Sequence, residues 1–476
     1  MPTRLAAPWT ALGMVIRVGA PLAAWFVEGW AALIAAVLVQ EGGLWLARRV
    51  SGTGRACLAS RLFLGAYVLR MAIGLPLHAI ARASNGNGAL FRDDYTNDLV
   101  AEWLVRIARG DGSVSIFPGH QYLLDSIYSY VLMGIYAIFG YTPLIPKLLN
   151  IGLAALCAVL IFDIASSIFS ARAALLAALG AAVLPSLVVW SIATLKETLV
   201  LFSALVALVI IQFLTTASPR HPRLMDALVL LAAVSALLLD LRSTATFVIL
   251  GLVGLLVIAR SKVRLRGWQV AAVSFGLVAV CAIGVVVVHG RTTNRPWTAT
   301  IEDIALQIRH RRAQEAAGAS SQLRPGIDVL SPTGSQLPAA EAESDAEPFS
   351  FVGDVIDPLG YAMFSPAPWQ AQDLTELGAS AEMPVWYVLL AASALAWYAR
   401  PRQRLFVMCL VVYGVANWVI LAAVEGNTGN LLRHRIMLDP ALLILGAAGL
   451  DWLWTKRGTR RRQAILAHEH VGVGGV

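Results

Sequence analysis

Asp93 and Asp94 stand side by side in a 476-residue chain of which only 14% is charged. Two adjacent carboxylates at a polar–apolar boundary can furnish a general base, because partial desolvation and a like-charged neighbour raise a carboxylate pKa. The same type of residue can cap the helix that the sequence predicts near Tyr95, a favoured role for aspartate. Arg433-His434-Arg435 carries the strongest physical argument, since it opens an apolar stretch directly after Asn427-Thr428-Gly429-Asn430. A helix N-terminus disfavours cations through its macrodipole. Both arginines become economical if an anion is held there: guanidinium forks fit phosphate oxygens, and helix N-terminal amides add donors. A phosphate-bearing lipid or substrate is one such anion; an ion pair with an acidic loop is the alternative.

Two further pairs and one histidine join the candidates. Lys196-Glu197 follows Pro185 and Trp190 between two apolar stretches. A lysine there can snorkel to an interface and a glutamate can serve a helix dipole, or both can face a substrate. Asp240 and Arg242 flank Leu241 at a second boundary, as a local ion pair or as ligand contacts. His120, in Phe117-Pro118-Gly119-His120, is a substrate-site candidate whose bland alternative is a local hydrogen bond. Asp93, Asp94 and Glu102 could give oxygen ligands to a divalent cation, although nothing in their spacing demands one. No cofactor is otherwise implied.

The elements that position these residues are apolar. Of the chain 58% is hydrophobic, with mean hydropathy +0.69, against about 25% charged and about 45–50% apolar residues in soluble domains. That balance excludes disorder, a coiled coil and an ordinary cytosolic enzyme, and predicts an all-α polytopic membrane protein. A helix needs about 20 apolar residues to cross a hydrocarbon core of roughly 30 Å. The criterion gives about twelve spans: 10–27, 30–47, 62–81, 145–167, 174–191, 197–214, 225–240, 244–260, 268–288, 384–399, 405–424 and 432–453. Arg17 and Glu28 interrupt the first two, and no clean signal-peptide cleavage site follows them.

The net charge of +8 suggests nucleic acid until its distribution is considered. Basic residues cluster between the spans, at Arg48-Arg49, Arg220 with Arg223, Arg260 to Arg266, Arg400 to Arg404 and Lys456 to Arg462. With the spans above, every cluster falls on one side, the cytoplasm by the positive-inside rule. All the candidate residues fall on the outer side. The segment 122–140 would reverse this arrangement if it crossed, so its helical apolar face predicts an amphipathic helix in the outer interface. Cys57, Cys157, Cys281 and Cys409 are too dispersed for a disulfide framework or a metal knuckle.

The expected organisation is a membrane hairpin and cytoplasmic loop at 1–61 and a transmembrane core at 62–288 with a first outer loop at 82–144. A second outer loop at 289–383 is partly low-complexity, C-terminal spans fill 384–455, and 456–476 is a basic cytoplasmic tail.

The order of these pieces resembles the GT-C glycosyltransferases, in particular the bacterial branch related to protein O-mannosyltransferases and lipid A aminoarabinose transferases. The likeness rests on the acidic pair of the first loop and on Phe139-Gly140-Tyr141-Thr142-Pro143-Leu144. It rests also on Phe169-Ser170-Ala171-Arg172, Pro185-Ser186-Leu187 with Lys196-Glu197, and Arg433-His434-Arg435 to Pro440. It covers about 82–260 and 425–453. Lys196-Glu197 stands where many relatives carry an aspartate, and His434 replaces the usual tyrosine.

The resemblance implies a GT-C-like bundle in a bacterial cytoplasmic membrane. Its active site faces outward and moves a sugar from a polyprenyl-phosphate donor to a hydroxyl of a glycan, lipid or protein acceptor. By the same resemblance Asp94 or Asp93 acts as base, with spacing slightly favouring Asp94. Arg433, Arg435, Lys196 and Arg242 hold the donor phosphate, and Glu197, His120 and His434 lie at the substrate site. A lipid-linked polysaccharide polymerase or ligase shares outer arginines and is the alternative. A transporter or flippase, which would place paired charges at mid-membrane and show internal repeats, ranks third.

Overall fold

A computed structural model describes residues 6–111, 126–218, 221–260, 359–367, 369, 377–378, 380–424 and 428–472. Every regular element among them is helical. In chain order these are α1 (Ala6–Glu28), α2 (Trp30–Asn85), α3 (Arg92–Ala108), α4 (Ile127–Phe139), α5 (Leu144–Ile168), α6 (Ala171–Val183) and α7 (Pro185–Ser191). They continue with α8 (Glu197–Thr216), α9 (Leu224–Leu241), α10 (Ser243–Arg260), α11 (Met383–Ser393), α12 (Arg404–Val424), α13 (Thr428–His434) and α14 (Asp439–Gly472).

Six of these helices are long and apolar enough to cross a membrane, and eight if each of two bent pairs counts as one span. The chain is therefore a multi-pass membrane protein by helix length and hydropathy. Several expected spans coincide with single helices, notably 145–167 with α5, 197–214 with α8 and 225–240 with α9. The described residues do not show the expected count of about twelve. The span 268–288 lies outside the described residues. Helix α1 carries Arg17 and Pro21 and is not among the qualifying helices. The span expected at 384–399 is the 11-residue α11 followed by a 3-10 turn at Ala396–Ala399. At 1.5 Å per residue that helix is about half the length needed.

The spans expected at 30–47 and 62–81 are two arms of α2, separated at Gly52, whose φ of 67° no helix accommodates. Arg48 Nε donates to Ser60 Oγ at 3.1 Å and Tyr67 Oη to the Ala36 carbonyl at 3.4 Å. Residues near Gly52 thus pair with near ones and distant with distant, as in antiparallel arms. A Cβ on Gly43 would lie 2.1 Å from Phe63 Cζ, so glycine permits this close approach. Arg402 of the Arg400 to Arg404 cluster donates to the Ser166 carbonyl at 3.3 Å near the end of α5, where Arg55 lies 3.4 Å from Asp163.

The span expected at 174–191 is broken into α6 and α7, which meet at 50°. Pro185 has no N–H for the Ala181 carbonyl, and the Ser186 N–H turns to Glu382 Oε2 at 2.7 Å instead of to Ala182. Arg70, fully buried, fills both vacancies. It donates to the Ala181 carbonyl at 2.9 Å and the Ala182 carbonyl at 3.0 Å, while its Nε reaches Ser191 Oγ at 3.1 Å. A cation thus closes the C-terminus of α6 and a carboxylate the N-terminus of α7, each at the dipole end that favours it. Replacing Arg70 by methionine leaves two carbonyls of the break unmade, at about 1–3 kcal/mol each. Arg70→Met is expected to lower the thermal midpoint of the purified protein, and an unchanged midpoint would show that the break is held by packing alone.

Candidate functional site

Helix α3 is where the acidic pair divides. Both aspartates lie in its first turn, after the extended residue Phe91. The buried Asp94 reaches back to accept from Leu90 N at 2.8 Å, the role of an acidic residue near a helix start. Its other oxygen accepts from Thr194 N at 2.7 Å, and the Lys147 ammonium lies 3.2 Å away. Asp94 and Lys147 are almost wholly withdrawn from water, with side chains 0% and 1% exposed. Asp93 points the other way, is 59% exposed and pairs with Arg433.

One turn further along the same face, buried Asp98 accepts from the Tyr136 hydroxyl of α4 and from Thr194 Oγ1 at 3.4 Å. Burial, followed by the neighbouring Asp94, pushes the Asp98 carboxyl well above the usual carboxylate range. Burial and Asp98 together raise the Tyr136 hydroxyl also, so it remains a proton donor. The stretch 193–195 is fixed from three more points: Asn97 Nδ2 donates to the Thr194 carbonyl at 2.9 Å, and Asn150 Nδ2 to Ala193 at 2.7 Å and Leu195 at 2.9 Å.

Behind Asp94 lies a second layer of buried charge. Lys147 donates to the Gly88 carbonyl, and His78 Nδ1 is 3.1 Å from the same oxygen. His78 Nε2 is 2.9 Å from Glu28 Oε1, and Glu28 Oε2 accepts from Leu144 N at 3.0 Å. Gly88 is required twice: its φ is 75°, and a Cβ would lie 2.2 Å from His78 Cε1.

Arg433, Arg242 and His434 converge on Glu197 at the start of α8. Its side chain is 3% exposed, and Arg433 Nε is 3.1 Å, Arg242 3.7 Å and His434 Nε2 3.7 Å from Glu197 Oε1. Arg433 bridges from Glu197 to Asp93 and so joins the late segment to the first loop. Among the described residues Glu197 Oε2 has no hydrogen-bond partner, an omission that costs about 1–3 kcal/mol in a buried group. Lys196 precedes Glu197; burial lowers its pKa from the ordinary lysine value, and Glu197 opposes the fall. Asp240 accepts from Ile127 N at 2.8 Å, at the start of α4.

The two arginines of Arg433-His434-Arg435 face different described residues. Helix α13 ends at His434 and a 3-10 turn begins, and buried Arg435 faces Met383 Sδ at 3.0 Å, the Ser365 carbonyl and the Trp386 ring at 5.2 Å. His120 lies outside the described residues. No group of three or more His, Cys, Asp or Glu side chains is arranged to hold a metal among the described residues. Asp94 of the suggested cation ligands is instead committed to Lys147 and two amides.

Sequence reasoning missed Asp98, Lys147 and His78. Asp94 and Asp98 are spaced i, i+4, which puts both on one helix face. Lys147 and His78 are ionisable residues inside or beside apolar stretches, which alone marks them for attention. No protein-family model and no curated protein matches the chain.

The raised Asp98 pKa has a pH consequence. Between the unfolded aspartate value of about 3.9 and the higher folded value, the native state binds more protons, so stability falls as pH rises through that window. Asp98→Asn keeps an acceptor for Tyr136 and removes the titration. The variant's thermal midpoint is expected to gain on wild type as pH is raised from about 4 to about 8. A constant difference across that range would mean that Asp98 is ionised in both states.

Proposed function

We propose that this protein is a membrane glycosyltransferase that moves a sugar from a polyprenyl-phosphate donor to an acceptor hydroxyl on the outer face of the membrane. The observation that carries the reading is the junction of Asp93 with Arg433, residues 340 positions apart that belong to the two stretches on which the GT-C resemblance rests. A first-loop carboxylate beside a late-segment guanidinium is the pairing that base and phosphate binder require. The base role falls to Asp93 and not to Asp94, although spacing slightly favours Asp94. Asp93 is open to an incoming hydroxyl, whereas the lone pairs of Asp94 are spent on Lys147, Leu90 and Thr194. Asp94 is then a positioning residue.

In this mechanism Asp93 takes the proton of the acceptor hydroxyl as its oxygen attacks the anomeric carbon. The bond to the phosphate oxygen breaks with inversion, and the departing phosphate keeps the electron pair. Arg433 and Arg242, already in place, stabilise that charge, so no proton need be delivered to the leaving group. An apolar groove of about 340 Å³ between α11, α12 and α14 suits the hydrocarbon part of the donor. Trp386, whose ring carries Arg435, lines it with Leu410, Val411, Gly414, Leu438 and Leu442.

The test is turnover of labelled polyprenyl-phosphate sugars by the purified protein in lipid. Asp93→Asn is expected to lose about 10²–10⁴ in rate, the usual contribution of a general base, while keeping the wild-type thermal midpoint. Arg433→Ala is expected to lose transfer as well. Chain growth would favour a polymerase, lipid movement without sugar transfer a flippase, and no turnover by folded wild type with any donor would reject the transferase.

A further inference from the structure

Glu197 is oddly placed for a site that is to receive an anion. It is a buried carboxylate whose one oxygen, Oε1, is approached by the guanidinium groups of Arg242 and Arg433 and by the imidazole of His434. Arg433 and Arg242 come from α13 and the end of α9, and without an intervening anion they would repel one another. Asp93 takes a second nitrogen of Arg433, so that guanidinium is held between two carboxylates. A phosphate arriving at Arg433 therefore meets two negative charges already in residence. Like charges this close are costly in a site withdrawn from water. Glu197 Oε2, buried and without a hydrogen-bond partner among the described residues, shows that the present arrangement satisfies only half of the carboxylate.

Resting on the transferase reading, we propose that Glu197 is a resident counter-ion that holds Arg242, Arg433 and His434 together while the site is empty and yields them to the phosphate group of the ligand. It is a positioning residue that competes with the ligand. It keeps the cations folded and aimed in the unliganded protein, at the expense of ground-state affinity for the phosphate. Its unpartnered oxygen is the place where a proton or a hydrogen-bond donor settles once the phosphate has taken over the guanidinium groups.

The consequence is a gain of function in binding, which structural damage does not produce. Binding of farnesyl monophosphate and of inorganic phosphate to the full-length protein in lipid nanodiscs is measured by calorimetry for wild type, Glu197→Gln and Arg433→Gln. Glu197→Gln is expected to bind farnesyl phosphate about tenfold more tightly than wild type, equivalent to about 1.4 kcal/mol, and Arg433→Gln more weakly. A gain confined to farnesyl phosphate identifies a lipid headgroup as the competitor, and a gain with both ligands identifies the phosphate group itself; either supports the counter-ion. Unchanged or weaker binding by folded Glu197→Gln, with wild type binding normally, overturns the counter-ion and leaves the transferase reading standing. Wild type that binds neither ligand overturns both. Should Glu197→Gln fail to fold, Asp93→Asn releases the same guanidinium from an exposed position. A gain there supports displacement at Arg433, and its absence overturns it.

Discussion

Lys147 and Asp94 lie 3.2 Å apart, all but sealed from water, and the candidate site hangs from that pair. Burying an ammonium and a carboxylate costs several kcal/mol per ion, and their attraction repays it only when the remaining donors and acceptors are filled. Here they are. Asp94 takes the amides of Leu90 and Thr194, and Lys147 takes the Gly88 carbonyl. The pair therefore ties α5 to the turn before α3 and to the stretch leading into α8. Those three pieces carry Asp93 and Glu197, and the position of one relative to the other follows from a contact that neither makes.

A second constraint acts deeper in the bundle. The break between α6 and α7 exposes backbone groups where no water is at hand, and Arg70 and Glu382 supply what the missing turn would have supplied. Two charged residues among apolar helices are costly by themselves, and the backbone bonds they complete offset part of that cost. The result is that α7 delivers residues 192–197 to the site at a fixed angle.

Hydropathy made most of the helices legible, because the length and apolarity of segments such as Leu144–Ile168 or Glu197–Thr216 leave few alternatives. The acidic pair and the Lys196-Glu197 step were visible as misplaced charges, and the structure does bring Asp93, Arg433, Arg242, His434 and Glu197 together. The basic triplet does not open a helix as expected: Arg433 and His434 close the last turn of α13, where the dipole favours cations. What the sequence could not order was Asp93 against Asp94. Neighbours on a helix point about 100° apart, and which one is buried depends on where Lys147 arrives, some fifty positions later. The same limit hid the divergence of Arg433 and Arg435, which follows from the end of α13 at His434. The stretch 174–191 was expected as one span although it carries Pro185, and the residues that repair its break stand 112 and 196 positions away from their partners.

These separations bear on how the chain is made. Asp93 leaves the ribosome 340 residues before Arg433, and Ser186 precedes Glu382 by 196. Domains assemble as their segments are synthesised, N-terminal parts first, so the early helices enter the bilayer with Glu197 and the amide of Ser186 still lacking their late partners. The half-made protein must keep those groups wet or neutral until the C-terminal helices arrive. Assembly of the site thus waits for a late segment of the chain, and a chain stopped before α13 holds the carboxylates without the guanidinium that joins them.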